Sequence, residues 1–367
     1  MEDSKTETKK QLKYGYTTGA CATAATKAAL LALITGKVVE HVKIYIPAGE
    51  HVMFEIVECN LYNDKAIAGV IKDGGDDPDA THGALILATV QWTAEEGFQL
   101  DGGIGVGRIT KPGLPIPIGE AAINPIPRKM IKETVQELLN EFEINRGISV
   151  TISVPDGEII AKKTLNARLG VIGGISILGT RGIVVPFSSS AYMASIVQYI
   201  KVAHANECEH VVITTGGRSE KYAMKTYPHL REEAFIEMGD FVGFTLKQCK
   251  KQGVKKVSMV GMMGKFSKIA KGDMMVHSKG SQVDFQFLAE VAKMSGAPEN
   301  VIAEIREANT ASQVGDLMAV LGTHTFFETL CHLCNQAAYK EIKGGIDIET
   351  VLFTLNGEFL GRAILHD

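Results

Sequence analysis

The sequence predicts two domains of different class: an N-terminal α+β domain with a mixed or antiparallel sheet, and a C-terminal Rossmann-like α/β domain with a mainly parallel sheet. The chain has 367 residues, which is longer than single hydrophobic cores usually grow. Its first half shows short alternating strands and long glycine- and proline-rich loops, whereas buried strands alternate with helices after Pro186. Alternating strands and helices are typical of a parallel sheet.

The domain boundaries follow from this change of pattern. We place the first domain at residues 14–187 and the second at 188–367, with a last strand over 351–365 that completes the second domain or returns to the first. Residues 1–13, MEDSKTETKKQLK, are polar and lack the apolar centre of a signal peptide. We interpret them as a mobile tail of a cytoplasmic protein.

The first half contains two predicted helices among strands. Thr17 or Thr18 caps an alanine-rich helix, and three antiparallel strands follow between residues 40 and 73. The sheet resumes at Ala84, an amphipathic helix includes residues 130–139, and a hairpin is predicted around Pro155-Asp156-Gly157.

The second half begins with a helix capped by serines at 188–190. Two buried strands, HVVITTGG and VKKVSMVGMMG, each end in glycines, and helices starting in RSEKYAMK and FTLKQCKKQG lie between them. The segments SQVDFQFLAEVAKMSG and HTFFETLCHLCNQAAYKEI are predicted to be helical.

Composition excludes several classes of function. A net charge of −4 gives no general attraction to nucleic acid or anionic lipid, and we find no apolar run near the ~20 residues of a membrane span. The six cysteines are too scattered for a disulfide framework, so we expect reduced thiols. Cys331 and Cys334 have C-x-x-C spacing without a partner pair for zinc, which favours a buried helix face and no protein-bound metal.

The entry to the first helix, YGYTTGACATAATKAA, has two interpretations. The N–H groups after Thr17, Thr18 and Gly19 form an anion site if they are exposed, whereas the alanines alone indicate a capped helix packed closely on its sheet. Cys21 lies in the first turn, where the helix dipole lowers a thiol pKa. A small buried cysteine is the commoner outcome.

The loop GGDDPDATHG is rich in carboxylates. Its aspartates serve as acid–base groups together with His82, or accept hydrogen bonds from backbone N–H groups in a turn. A metal site is the weaker alternative, because the spacing does not follow a calcium loop. Asp76, Asp77 and His82 are our candidates for moving a proton.

Positive charge accumulates in the long loop of residues 103–128. Arg108, Lys111 and Arg128 lie among glycines and prolines that favour an ordered loop, and they are suited to holding carboxylates or phosphates. The loop GGISILGTRGIVVP matches a dinucleotide-binding pattern only weakly.

The stretch ITTGGRSEKYA is better placed for a nucleotide-like ligand, since it reads as strand, turn and helix. Glu237 and Asp240 follow at the position where a second strand offers carboxylates to a ribose. Candidate cofactor contacts are Thr215, Gly216, Gly217, Glu237, Asp240 and Gly261. From these residues alone we expect a nucleotide-dependent transferase or ligase that acts on an anionic substrate. A P-loop would favour ATP as the nucleotide, and the sequence contains none.

Taken together, the motifs resemble the cobalt-precorrin-5B C1-methyltransferase family, CbiD. They are GYTTGACATAA, GDDPDATHG, TKPGL with AINPIPRKMI, GGISILGTRGIVVP, TTGGRSE, GDFVGF and GKFSKIAKG, in this order over almost the whole chain. Arg108 and Arg181 stand where the family leads us to expect an apolar residue and a threonine.

The resemblance implies methyl transfer from S-adenosylmethionine to carbon 1 of a cobalt corrinoid, giving cobalt-precorrin-6A in anaerobic cobalamin biosynthesis. Such a transfer needs alignment of donor and acceptor rather than a nucleophile or a metal. The macrocycle carries carboxylates, for which Thr17, Thr18, Gly19, Arg108, Lys111, Arg128 and Arg181 are the candidate contacts. The alternative is a non-catalytic carrier or chaperone for a tetrapyrrole, and the sequence is compatible with a homo-oligomer.

Overall fold

The computed structural model describes residues 12–278 and 280–367, and the chain divides after Ser188 into two compact units. Both units mix helices with strands, and both contain a sheet of mixed orientation. Most of the predicted tail lies outside the described residues. Lys13, within it, donates its N–H to Asp76 Oδ2, accepts the N–H of Asp76 at its carbonyl, and forms an ion pair with Asp73.

The first unit contains thirteen strands and three helices among its described residues. They are β1 Gly15–Tyr16, α1 Thr18–Thr35, β2 His41–Ile46, β3 Glu50–Glu55, β4 Glu58–Leu61, β5 Lys65–Ile71, β6 Leu85–Thr93, β7 Phe98–Gly102, β8 Gly105–Val106, β9 Arg108–Ile109, α2 Pro125–Glu141, β10 Gly147–Ser153, α3 Gly157–Ala161, β11 Val171–Ile172, β12 Gly174–Ile175 and β13 Ile183–Val184.

The main sheet of this unit has the order β4-β5-β6-β10-β7, with β10 and β7 parallel and the other neighbours antiparallel. β2 and β3 form a separate hairpin. Two predictions are therefore wrong: residues 40–73 form four strands rather than three, and no hairpin follows β10. Gly157 packs against the backbone of Gly105, and the helix-forming residues after it build α3.

Helix α1 packs against β5 and β6 and against α2. Its N-cap is Thr17, whose Oγ1 accepts the N–H of Ala20, and Gly36 ends it in the left-handed conformation. By length and composition α1 could cross a membrane, but 72% of it is buried inside the unit, as expected of a core helix. Small side chains allow the helix to be enclosed on several sides at once.

The second unit carries a five-stranded sheet and eight α-helices among its described residues. Its elements are α4 Ser189–Ala205, β14 His210–Thr214, α5 Gly217–Thr226, a 3₁₀ turn Glu232–Ala234, β15 Phe235–Glu237, α6 Val242–Lys251, β16 Lys256–Met262, α7 Met263–Lys271, α8 Phe285–Met294, α9 Glu299–Arg306, α10 Ala311–Val320, α11 His324–Ile342, β17 Asp347–Phe353 and β18 Phe359–Leu365.

The strand order is β15-β14-β16-β17-β18, in which only β18 is antiparallel to its neighbour. A large apolar cluster packs against one part of the sheet, and a smaller apolar cluster packs against another part. Residues 351–365 are not one last strand: they contain the end of β17 and all of β18. Both strands belong to the second unit's sheet, which corrects the alternative that this segment returns to the first domain.

A buried charge network lies near the amino ends of these strands. Glu349 is fully buried and pairs with Lys256 at 2.8 Å and with Arg362. It also accepts a 2.5 Å hydrogen bond from Ser258, whose hydroxyl lies 2.7 Å from Nε2 of His210. Burial, and then the nearby Lys256 ammonium, lower the pKa of His210 to about 4, while Glu349 opposes this shift. The folded state therefore holds His210 neutral.

We predict that Ala25→Leu lowers the free energy of unfolding by about 1–3 kcal/mol, because Ala25 is fully buried in α1 and the added atoms overpack the core. Urea titration measures this difference. The matched control Thr35→Leu adds bulk at an exposed position of the same helix and should change stability by less than about 0.5 kcal/mol. Equal effects of the two substitutions would contradict close packing around Ala25.

We predict that the free energy of unfolding falls in acid because of His210. The unfolded chain binds a proton at His210 near pH ~6.5, whereas the folded chain binds it only near pH 4. Stability contributed by the neutral imidazole is thus complete above pH ~6.5 and is lost as the pH falls toward 4, by on the order of 1–3 kcal/mol. His210→Gln should flatten this part of the urea-midpoint profile, whereas His204→Gln, at an exposed position of α4, should not. Identical profiles for both variants would refute the assignment.

Candidate cofactor and substrate sites

A cavity of about 800 Å³ lies at the carboxyl edge of the second unit's parallel strands. Thr215 follows β14 and Met262 ends β16, and both line the cavity. The segments that precede α8 and α10 close it on other sides. Its volume lies in the range of ~300–1,000 Å³ that is usual for small-molecule sites.

Three helices begin at this cavity. Gly217 starts α5, Met263 starts α7 beside the lining residue Gly264, and Ala311 starts α10. The first N–H groups of a helix have no acceptor within the helix and carry the positive end of its dipole. A Cβ placed on Gly217 or Gly264 would meet no atom within 4 Å, so a ligand can approach both backbones closely. This end of the sheet therefore favours a ligand with a negative group.

Charged side chains add to this polarity. Lys265 pairs with Asp240 at 3.0 Å and lies 3.4 Å from the carbonyl of Thr215. The buried Lys268 donates to the carbonyls of Ser281 and Val276. Arg218 is exposed at the first turn of α5. Basic groups thus outnumber carboxylates among the described lining residues.

Most of the predicted cofactor residues meet here. Thr215, Gly216, Gly217 and Asp240 all line the cavity. Glu237 ends β15, and its Oε1 lies 3.8 Å from the place where a Cβ on Gly216 would stand. It therefore flanks the same turn.

Gly261 is a correction to the predicted set. It lies inside β16, and a Cβ on it would come within 2.1 Å of the Phe266 ring. The absence of a side chain allows α7 to pack against the strand. Gly261 therefore has a packing role, and it is not among the residues that line the cavity.

Side chains of the aspartate-rich loop in the first unit accept hydrogen bonds from backbone N–H groups. Asp76 accepts the N–H of Lys13, and Asp77 accepts that of Phe187. Nδ1 of His82 accepts the N–H of Gly74, while 57% of the His82 side chain is exposed. The turn interpretation accounts for these contacts. The proton-transfer role of Asp76, Asp77 and His82 stays a prediction.

The entry to α1 is less open than the sequence suggests. The N–H groups of Gly19, Ala20 and Cys21 donate to Leu178 O, Thr17 Oγ1 and Thr17 O. Pro127 also lies against Gly19, leaving no room for a side chain there. The expectation that these N–H groups bind an anion is wrong, because internal acceptors use them.

The predicted cations of the glycine-rich loops differ in availability. Arg108 forms a bidentate pair with Asp101 at 2.7 and 2.8 Å, which lowers the pKa of that carboxyl. Arg128 donates to the carbonyls of Ile123 and Ala121 and pairs with Glu120 at 3.0 Å. Both arginines therefore stabilise the loop. Lys111 packs beside Gly170, and Arg181 is exposed.

A second, smaller cavity of about 230 Å³ lies within the first unit. Thr17 and Thr18 line it together with an ion pair between the buried Lys72 and the partly exposed Asp79, whose Nζ and Oδ2 are 2.6 Å apart. Burial raises the pKa of the Asp79 carboxyl, but hydrogen bonds from Lys72 and Thr81 outweigh burial and leave that pKa below its usual value. The predicted residues Thr17 and Thr18 thus border a polar cavity through their side-chain positions.

The cysteines behave as packing residues. Cys331 and Cys334 are fully buried in α11, and burial raises the pKa of each thiol. Among residues 12–278 and 280–367, no group of three or more His, Cys, Asp and Glu side chains is arranged to hold a metal ion.

Comparison with known proteins gives the family. The family model CbiD matches residues 5–186, and the model of the CbiD C-terminal domain matches residues 275–364. A cobalt-precorrin-5B C(1)-methyltransferase of Geobacillus sp. (strain WCH70) is 65% identical, covering 98% of this chain and 99% of that protein. This chain belongs to the CbiD family.

Other CbiD relatives extend the comparison. The cobalt-precorrin-5B C(1)-methyltransferase of Priestia megaterium is 65% identical over 97% of both chains. That of Leptospira interrogans serovar copenhageni is 44% identical, covering 97% of this chain and 96% of its own. A crystal structure of a cobalamin biosynthesis protein (cbiD) from Archaeoglobus fulgidus is 33% identical, covers 69% of this chain and 77% of its own, and gives a TM-score of 0.39.

Several residues of these two CbiD cavities escape sequence reasoning. Lys72 stands in VIKDGG, where a lysine after a strand is normally exposed, but only 1% of its side chain is exposed in the structure. Asn309 and Thr310 line the larger cavity from a helical region without a glycine-ended strand. One sequence pattern does indicate the basic lining of the larger cavity. GKFSKIAKG follows β16 and places lysines at 265 and 268, one helical turn apart.

We predict that Cys21 resists alkylation in the native protein. Burial raises the pKa of its thiol to about 12, so the helix dipole does not activate it. Treatment with iodoacetamide near pH ~8, followed by peptide mass spectrometry, should label the partly exposed Cys59 first and leave Cys21 unmodified until urea unfolds the chain. Labelling of both cysteines at similar native rates would contradict this.

Proposed function

We propose that this chain transfers a methyl group from S-adenosylmethionine to carbon 1 of cobalt-precorrin-5B, giving cobalt-precorrin-6A in anaerobic cobalamin biosynthesis. The observation that carries the proposal is the 65% identity, over nearly full length, to proteins named cobalt-precorrin-5B C(1)-methyltransferase. The cobalt belongs to the substrate. We place the reaction in the cytoplasm, with small-molecule partners rather than nucleic acid or membrane.

The larger cavity is the proposed site of the methyl donor. S-adenosylmethionine supplies a methyl group on a positively charged sulfur, and its methionine arm carries a carboxylate. The helix starts at Gly217 and Met263, with Arg218 and Lys265, suit that carboxylate, while Asp240 and Glu237 suit donors such as ribose hydroxyls. The volume of about 800 Å³ accommodates a ligand of this size.

The topology supports a Rossmann-like assignment for the second unit. β14, β15 and β16 are parallel neighbours, and helices connect them. In open α/β sheets, ligands bind beyond the carboxyl ends of the strands, which is where this cavity lies. We propose accordingly that residues 14–187 and 188–367 are separate domains, the second binding the donor.

Chemistry at the acceptor requires the loss of one proton for each methyl group added to carbon. Asp76, Asp77 and His82 remain our proposed acceptors for this proton, and the side chains at Thr17, Thr18, Lys111 and Arg181 remain proposed substrate contacts. A tetrapyrrole carrier would need no second site for a donor. The separate large cavity therefore favours the enzyme over the carrier.

Binding of S-adenosylhomocysteine tests the donor site. Gly217→Val places a branched side chain in the open space at the start of α5 and should weaken calorimetric binding at least about tenfold. Lys225→Val makes a branched substitution at an exposed position of the same helix and should leave affinity unchanged. Unchanged binding by Gly217→Val would remove this cavity as the donor site.

Turnover tests the reaction itself. The wild-type protein, incubated with S-adenosylmethionine and cobalt-precorrin-5B, should yield a corrinoid in which one methyl group replaces a hydrogen, detected by mass spectrometry. Binding of the corrinoid without methylation in the presence of the donor would favour the carrier.

A further inference from the structure

We propose that the cavity of about 230 Å³ in the first unit is a carboxylate-binding pocket in which the Lys72 ammonium is the principal donor. The ligand we assign to it is one carboxylate arm of the corrinoid. That identification rests on the proposed function. The pocket's preference for a carboxylate rests on its own geometry.

Lys72 is buried with few hydrogen-bond partners. Its side chain is 1% exposed, and it is among the largest fully buried side chains of the described residues. An ammonium group has three N–H donors. Within the described part of the chain, its only hydrogen-bond acceptor is Asp79 Oδ2. A buried ammonium with unused donors is costly, and it calls for a further acceptor in the cavity that it lines.

Asp79 is fixed in place by its hydrogen bonds. Its Oδ1 accepts from both the N–H and the Oγ1 of Thr81, while its Oδ2 accepts from Lys72. These bonds hold the carboxyl ionised, and they also hold the ammonium at a set position. Asp79 therefore positions Lys72 and is a poor proton acceptor itself.

Hydroxyl groups form part of the remaining lining of this cavity. Ser176 borders the cavity, and its hydroxyl makes no hydrogen bond within the described residues. The Thr17 hydroxyl oxygen accepts the N–H of Ala20, which leaves its own proton for another acceptor. The Thr18 hydroxyl already bonds Leu178 and Ser176 backbone atoms. The free capacity in this pocket is thus mainly that of donors.

The size of the pocket selects the ligand. At about 230 Å³ it is smaller than the ~300–1,000 Å³ of sites that enclose a whole small molecule. It can hold a short side arm but not a macrocycle. A carboxylate on such an arm supplies the acceptors that Lys72, Ser176 and Thr17 lack.

The test uses the full-length chain and two corrinoid probes, a cobyrinic acid with free carboxylates and its fully esterified form. Titration followed by corrinoid absorbance should show tighter binding of the acid by the wild-type protein. Lys72→Met/Asp79→Asn removes both charges together, so no unpaired charge remains buried. It should weaken binding of the acid about ten- to hundredfold, the range for a charge-assisted hydrogen bond, and leave the ester unaffected.

Two further variants control for folding and for general charge effects. Ser176→Ala keeps the ion pair and should weaken binding of the acid about two- to tenfold. Lys255→Met/Glu209→Gln removes an exposed ion pair of the second unit and should change nothing. In a methylation assay the Lys72/Asp79 double variant should raise KM for the corrinoid with little change in kcat, because the pocket binds substrate and moves no proton.

The outcomes separate the two proposals. Equal wild-type affinity for acid and ester overturns the carboxylate pocket, as does wild-type affinity of the Lys72/Asp79 double variant for the acid. An acid preference that is lost in the double variant supports the pocket even if the wild-type protein transfers no methyl group. That last result would overturn the proposed function alone.

Discussion

The close packing of α1 is the constraint on which the first unit depends. Alanines allow this helix to lie against β5, β6 and α2 at once, and its start is fixed by Thr17 and by the acceptors of residues 176–178. Because β5 continues into Lys72, the same packing brings the buried lysine beside Thr17 and Thr18. A bulkier helix would keep those elements apart. The small side chains at the helix entry thus shape a cavity, although they do not expose the helix end.

In the second unit, the parallel strands determine where the larger cavity forms. Strands β14 and β16 end at the same edge of the sheet. The turns at 215–217 and 262–264 therefore line one cavity although they are distant in sequence. Each turn leads into a helix whose first N–H groups face that edge. Glycines at 217 and 264 keep those backbones uncovered, whereas Gly261 admits Phe266 and tightens the layer behind them. Openness and packing therefore come from the same residue type at neighbouring positions.

The sequence predicts such features where the signal is local. The capped helix at Thr17, the two buried strands before Gly216 and Gly264, and the burial of Cys331 and Cys334 are all predicted from local patterns, and the structure confirms them. It fails where the deciding partner is distant or the pattern is ambiguous. The turn around Asp156 suits a hairpin, but Gly157 must pack against Gly105, and a helix follows.

The sequence also does not show which basic residues are available to bind a ligand. Arg108 and Lys72 are both basic residues in loops rich in glycine, and nothing local distinguishes them. Arg108 meets Asp101 at the surface in a bidentate pair that uses most of its fork, so little is left for a ligand. Lys72 is 1% exposed and meets the partly exposed Asp79 at a cavity, so bulk water does not complete its hydrogen bonds.

Burial therefore decides which ion pair is structural and which is available for binding. An exposed ammonium or guanidinium completes its hydrogen bonds with water, and a ligand must displace that water for little net gain. A buried ammonium that lines a cavity has no such competitor apart from the few waters the cavity admits, so an incoming carboxylate gains a charge-assisted bond at lower cost. On this argument the residue that contributes most to substrate affinity in the first unit is Lys72, rather than the more conspicuous arginines of the glycine-rich loop.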